Sequence, residues 1–180
     1  MTVKISGTDG IDVAQLRAPD GDPVAMTVSN AGVVAFPQSP SMDTTGPIFR
    51  AVGDTNQNIA NSGYTKLTAG TATFNPDSAW QGGNKFLPNK AGYYHVGLFL
   101  TLIAQSSQYQ FIAAIYKNGT IYDYVRINSP AISQVAGYVG SLVYLNGTTD
   151  YIEFFASQNY SSSTTAQSGS PVVSAHFVRT

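Results

Sequence analysis

The stretch Tyr93-Tyr-His-Val-Gly-Leu-Phe-Leu-Thr-Leu-Ile-Ala104 carries no charged residue and is apolar at nearly every position. In an extended strand successive side chains point to opposite sides. One face is therefore Tyr94, Val96, Leu98 and Leu100, and the other is Tyr93, His95, Gly97 and Phe99. Neither face suits water, which is the pattern of a strand covered on both sides. We expect the first face to fill the inside of a β-sandwich and the second to meet further copies of the same chain.

Working outward, residues 46–180 read as strand after strand. Phe49-Arg-Ala-Val opens the series, followed by Tyr64 to Leu67 and Thr71 to Phe74. After the central run come Tyr109 to Tyr116, ending at Asn118-Gly119, and Ile121 to Ile127. Asn-Gly between two apolar runs is the signal of a primed hairpin turn. Tyr138 to Leu145, ending at Asn146-Gly147, and Tyr151 to Ala156 are expected to repeat that arrangement, and Val172 to Val178 closes the chain. Short strands at regular spacing with Gly and Asn turns indicate a sandwich or jelly roll. Asn118, Asn146 and Asn159 each begin a glycosylation sequon, but the first two are accounted for by turn chemistry.

Composition narrows the function. Charged residues are 11% of the chain, against roughly a quarter in ordinary soluble proteins. Ser, Thr, Asn, Gln and Gly take their place, and Glu153 is the only glutamate. Helices laced with ion pairs are therefore not expected. The nine Lys and Arg are scattered, and the net charge is -1, so no basic cluster exists to hold nucleic acid. With no cysteine there is neither a disulfide framework nor a thiolate metal site. No apolar run approaches a membrane span. Met1 to Gly7 carries no apolar signal core, so synthesis in a cytosol without export through a signal peptide is expected.

Residues 1–45 differ in character. Turns at Ser6 to Gly10 and Pro19 to Pro23 separate short stretches, and Asp20-Gly-Asp22 reads as a turn, not a calcium site. Val24, Met26 and Val28 alternate, and Val33, Val34 and Phe36 follow a turn at Asn30-Ala-Gly32. Too little apolar material is present for a stand-alone core. These short strands are expected to pack on the same segment of neighbouring chains. Pro37 to Pro47 reads as a linker.

The segment Gly83-Asn-Lys-Phe-Leu-Pro-Asn-Lys-Ala-Gly-Tyr-Tyr94 resembles the signature of the complement globular-head family, a branch of the tumour-necrosis-factor-like jelly rolls, matched at Gly83, Phe86, Pro88, Gly92 and Tyr94. Phe49-Arg-Ala51, Ile115 to Gly119 and Leu142 to Ile152 resemble further family segments in the same order. The resemblance covers roughly residues 47–180. Val96 stands where the family has Phe, and Val173-Ser-Ala-His176 departs from its final strand. What the resemblance implies is a ten-stranded-type jelly-roll sandwich packed about a three-fold axis as a homotrimer. Tyr93, His95 and Phe99 become the candidate axial residues. Residues 1–45, from Met26 to Pro37 above all, resemble the neck modules of phage tail fibres and receptor-binding proteins. The expected organisation is a neck for attachment and trimerisation (1–45) and a jelly-roll head (46–180).

No catalytic constellation stands out. There is no Gly-x-Ser-x-Gly elbow, and His95 and His176 both lie inside predicted strands without metal-ligand spacing. Asp150 and Glu153 tempt a glycosidase reading, but Asp150 sits at a turn and Glu153 is expected to pair with a Tyr or Lys. We expect no enzyme, no cofactor and no metal. Candidate ligand-binding residues are Trp80, Gln81 and Asn84 in one loop, and Asn159, Tyr160 and Ser161 in the polar connection from Gln158 to Gly169. An exposed Trp beside amides can grip a sugar ring; the alternative is a Trp that plugs the core or anchors an interface.

Two functions follow as expectations. The first is a tail-fibre tip that adsorbs to a host cell-surface receptor, a glycan in preference to a protein, with residues 1–45 joining other virion tail proteins. The second is a structural baseplate or capsid decoration protein that uses the same trimer to clamp neighbours. Residues 46–180 expressed alone are expected to fold and to form a weaker trimer. Circular dichroism with light scattering checks this, and an unfolded or wholly monomeric head contradicts it.

Overall fold

A computed structural model of the chain describes Thr27–Val28, Val34–Ala35 and residues 45–103, 109–129, 134–159 and 164–180. The chain divides into two compact units, Met1–Met42 and Asp43–Thr180. In the first unit β1 (Thr27–Val28) pairs with β2 (Val34–Ala35) antiparallel, Thr27 opposite Ala35. That hairpin lies where the alternation about Asn30-Ala-Gly32 predicts one.

The second unit runs β3 (Ile48–Val52), β4 (Gln57–Ile59), β5 (Tyr64–Lys66), β6 (Thr71–Phe74), β7 (Trp80–Gln81), β8 (Lys85–Phe86), β9 (Ala91–Ile103), β10 (Tyr109–Lys117), β11 (Thr120–Ser129), β12 (Gln134–Asn146), β13 (Ile152–Gln158), β14 (Thr164–Ala166) and β15 (Val172–Arg179). One sheet has the order β4-β14-β9-β15-β3-β6 with β12 on the other edge of β9. The second has the order β11-β10-β13-β8-β7 with β5 added to β13. The two antiparallel sheets form a jelly-roll sandwich. The long predicted strands all appear; β4, β7, β8 and β14 are two or three residues each, too short to display a period.

The core follows from β9. Tyr94, Val96, Leu98, Leu100 and Leu102 are all fully buried. They meet Phe111, Ala113 and Ile115 of β10 and Ile152, Phe154 and Ala156 of β13 in one cluster. A run of aromatic contacts joins the sheets. Phe49 of β3 stacks on Trp80 of β7 (centroids 4.6 Å apart, planes 7° apart) and on Phe86 of β8 (4.9 Å). Phe86 meets Tyr94 edge-on at 5.5 Å, and Tyr94 meets Phe177 of β15 at 5.4 Å. Each such pair adds about 0.5–1.5 kcal/mol beyond area burial.

This arrangement explains the Gly83–Tyr94 signature physically. Phe86 and Tyr94 are the middle of the aromatic run. The Tyr94 hydroxyl donates to the carbonyl of Lys90 at 2.7 Å, so its one polar atom is satisfied on burial. Burial, and then the charge of Asp77, push that phenol well above the usual tyrosine range. Gly92 has φ +150, and a Cβ there would press on the Phe177 ring and stand 2.6 Å from the carbonyl oxygen of Arg179.

Asn118 and Gly119, with φ of +52 and +78, form the two-residue turn between Lys117 and Thr120, the primed hairpin expected. Asn146-Gly147 does not repeat it. β12 pairs with β9, whereas β13 pairs with β10 and β5, so the chain crosses here from one sheet to the other. The Asn146 side-chain oxygen accepts from the amides of Thr148 (3.0 Å), Thr149 (2.9 Å) and Asp150 (2.9 Å) and so shapes the crossing. Asn-Gly reports a tight turn; which strand comes next is set by the partners' apolar faces. The polar connection from Gln158 to Gly169 also differs from expectation. Gln158 ends β13, and β14 inserts Thr164 and Ala166, both buried, opposite Ile59 and Leu102.

Gly92→Ala is expected to cost about 2–4 kcal/mol, combining glycine-only backbone strain with overpacking against Phe177. Thermal unfolding at fixed protein concentration measures it; a melting point unchanged from wild type contradicts the packing described.

Candidate functional site

The outward side of the β12-β9-β15-β3 sheet carries an apolar surface built by register. Tyr144 stands opposite Tyr93, and Leu142, His95, His176 and Ile48 form the next row. Gly140, Gly97, Ser174 and Arg50 follow, then Tyr138, Phe99, Val172 and Val52. Tyr138 and Leu142 are 56% and 53% exposed, and Tyr93, Phe99, Tyr144 and Ile48 are also open. The Tyr138 ring lies over the glycine row: a Cβ on Gly97 would stand 2.9 Å from its hydroxyl oxygen. Tyr93 and Tyr144 meet edge-on at 5.4 Å. So many large apolar groups contiguous on one sheet face is the pattern of an interaction surface.

In the middle of this face His95 and His176 are cross-strand neighbours, ring centroids 5.2 Å apart. Burial, and then the charge of His95, hold His176 below the usual histidine value. The charged side chains in the adjoining rows are Arg50 and Arg179; Asp77 receives the Ile48 amide at 3.3 Å. No carboxylate lies in the rows themselves.

The candidate axial residues Tyr93, His95 and Phe99 thus share this open face. His176 of β15 and Tyr138, Leu142 and Tyr144 of β12 were missed as their neighbours. The signal for β12 was present, since Gln134 to Asn146 is apolar at both parities.

The candidate ligand residues do not come together. Trp80 is 6% exposed, its ring lies against Phe49 and Phe154, and its indole N–H donates to the Ala69 carbonyl at 3.0 Å. Both its ring and its polar handle are committed, so the sugar-platform reading is corrected: Trp80 plugs the core. Gln81 and Asn84 flank the β7–β8 turn, with the Asn84 amide donating to the Gln81 carbonyl at 3.2 Å. β8 touches β13 at Ile152, the end opposite Asn159, so these residues lie about 20 Å from Asn159 along the strand. Tyr160 and Ser161, like Asp20-Gly-Asp22, fall outside the described residues. Asn159 borders a pocket of about 140 Å³ with Ser62, Gln110, Ile112, Ser157 and Gln158.

The acidic pair is separated by its partners. Glu153 binds Lys66 at 2.5 Å, and Asp150 binds Lys117 at 3.0 Å. A hydrogen bond from the Asn118 side chain, then Lys117 and the Asn146 amide, hold the Asp150 carboxyl below its usual range. Among the described residues no group of three His, Cys, Asp or Glu side chains is placed to hold a metal.

Fold and surface together define the class, an all-β jelly-roll domain with one sheet face left open. The comparisons agree on the fold. Murine APRIL at pH 5.0 superposes with a TM-score of 0.56 at 8% identity, over 74% of this chain and 100% of that one. Eiger TNF from S. frugiperda gives 0.52 at 7% identity, over 74% and 92%. The globular domain of zebrafish complement 1qA protein gives 0.50 at 10% identity, over 74% and 99%. No family model and no curated protein matches the chain. The chain therefore has the fold of TNF-like and complement globular-head jelly rolls.

Because His176 binds its proton more weakly in the fold than in the unfolded chain, the unfolded state holds more protons below the unperturbed value near 6.5. Stability contributed by neutral His176 is present above that pH and is lost as pH falls through it toward the lowered value. His176 is still exposed in the single chain, so the loss is small until this face is covered. His176→Gln is expected to flatten the fall of melting temperature between about pH 7 and pH 5. Parallel pH profiles for variant and wild type contradict this.

Proposed function

We propose that the chain is the tip of a phage-type tail fibre, a non-enzymatic receptor-binding head acting as a homotrimer. The observation that carries this reading is the open face of Tyr93, Phe99, Tyr138, Leu142 and Tyr144. Monomeric proteins rarely leave contiguous apolar patches beyond a few hundred Å², and two more copies of the chain are its natural cover. The likeness in fold to the TNF-like and complement domains supports the same assembly. Residues 1–45 serve as the neck that trimerises and joins other virion tail proteins. The chain is made in the host cytoplasm and resides in the virion.

The activity is adsorption to a host cell-surface receptor, with a glycan favoured over a protein by the many uncharged hydrogen-bonding side chains of the surface. Three weak sites on one rigid trimer gain avidity on a cell surface, where effective concentration multiplies each single affinity.

Purified full-length protein added to candidate host cells is expected to block phage adsorption in a saturable way and to bind extracted surface glycans. Protein that does neither, yet co-assembles with virion proteins, contradicts the receptor role and makes the chain a structural clamp.

A further inference from the structure

The pocket beside Asn159 lies on the side of the second sheet that faces away from the sandwich. Ile112 of β10 and Ser157 of β13 are register partners and form its floor. Gln110, Asn159 and Ser62 stand around it, and Gln158, whose side-chain amide reaches the Ile59 carbonyl, closes the back.

The polar groups are held in place by one another. The Gln110 amide donates to the Asn159 side-chain oxygen at 2.6 Å, and the Asn159 amide donates to the Gln110 carbonyl at 3.1 Å. The Gln110 side-chain nitrogen donates to the Asn128 side-chain oxygen at 3.0 Å, and the Ser62 hydroxyl donates to the Asn61 side-chain oxygen at 3.1 Å. Among the described residues this leaves three groups uncommitted: Asn159 Nδ2 as a donor, Gln110 Oε1 as an acceptor, and the Ser157 hydroxyl as either. A fixed donor, a fixed acceptor and an adaptable hydroxyl are the complement of neighbouring sugar hydroxyls.

An aromatic cluster lies farther along the same face, on the side of Ser157 away from Asn159 and outside the pocket lining. Tyr64 of β5 pairs with Ser157 and is exposed. It meets Tyr116 edge-on at 5.6 Å, and Tyr116 lies against Phe155 at 4.1 Å. Arg126 is the register partner of Ile112 on β11; the pocket lining itself has no charge. A volume of about 140 Å³ corresponds to about five waters. That admits one edge of a single ring and leaves the rest of a chain in solvent.

We propose that this pocket binds one uncharged sugar residue of a surface glycan. The Gln110 and Asn159 amides and the Ser157 hydroxyl read the ring hydroxyls, while Ile112 on the floor meets the apolar side of the ring. The inference rests on the adsorption role proposed above and gives it a place on the molecule.

Saturation-transfer NMR on the full-length protein tests it with glucose, galactose, mannose, rhamnose and N-acetylglucosamine, and with sialic acid as the charged comparator. At least one neutral sugar is expected to bind at millimolar strength. Ser157→Val and Gln110→Leu are each expected to weaken it tenfold or more while leaving the melting temperature within a few degrees. No neutral sugar bound, binding of sialic acid alone, or neutral-sugar binding unchanged in both folded variants would overturn the assignment. Failure here is separable from failure of the adsorption role. A Gln110→Leu protein that blocks adsorption as well as wild type removes this pocket and leaves the role standing. Wild-type protein that binds sugar through these residues without blocking adsorption keeps the pocket and removes the role.

Discussion

β9 is hydrogen-bonded along both edges, to β12 on one side and β15 on the other, and it is apolar on both faces. Its inward side chains are the spine of the sandwich. Tyr94 joins the aromatic run, and Val96, Leu98, Leu100 and Leu102 supply the floor on which β10 and β13 pack. The cost of exposing such side chains is about 1.5–3 kcal/mol each, and the second sheet meets that demand for one face alone. Tyr93, Phe99 and their cross-strand neighbours Tyr138, Tyr144 and Leu142 impose the same demand on the other side. The fold of one chain answers half of the constraint and leaves the other half open to solvent.

The two histidines acquire their interest from the same geometry. On a water-facing sheet a His95–His176 neighbour pair is a minor electrostatic detail. Under a second apolar surface the same pair loses solvent, and a shared positive charge beside Arg50 becomes hard to place. On this face burial and sensitivity to acid are therefore coupled through His176.

Much of this was legible from alternation alone. The period of two over Tyr93 to Ala104 separates the inner from the outer residues of β9 correctly, and Asn118-Gly119 announces its hairpin. Period fails where an element is too short to have one, so β4, β7, β8 and β14 were invisible. Asn146-Gly147 was misread because turn chemistry is local, while the choice between hairpin and sheet crossing depends on which strands have apolar faces left to cover. Trp80 was ambiguous for a related reason. Its flanking Asn75, Gln81 and Asn84 look like a solvent loop, and only Phe49, distant in sequence, supplies the stacking partner that pulls it inside. The pocket beside Asn159 unites Ser62, Gln110 and Ser157 from three separate strands or turns, which no spacing in one segment reveals.

Sedimentation equilibrium of the 180-residue chain decides between an assembled and an isolated head. A species of three times the 19.1 kDa chain mass is expected, its dissociation constant raised at least tenfold by Leu142→Lys with circular dichroism unchanged. A wild-type protein that sediments as a folded monomer at micromolar concentration, its outer β9 face open to water, would contradict it.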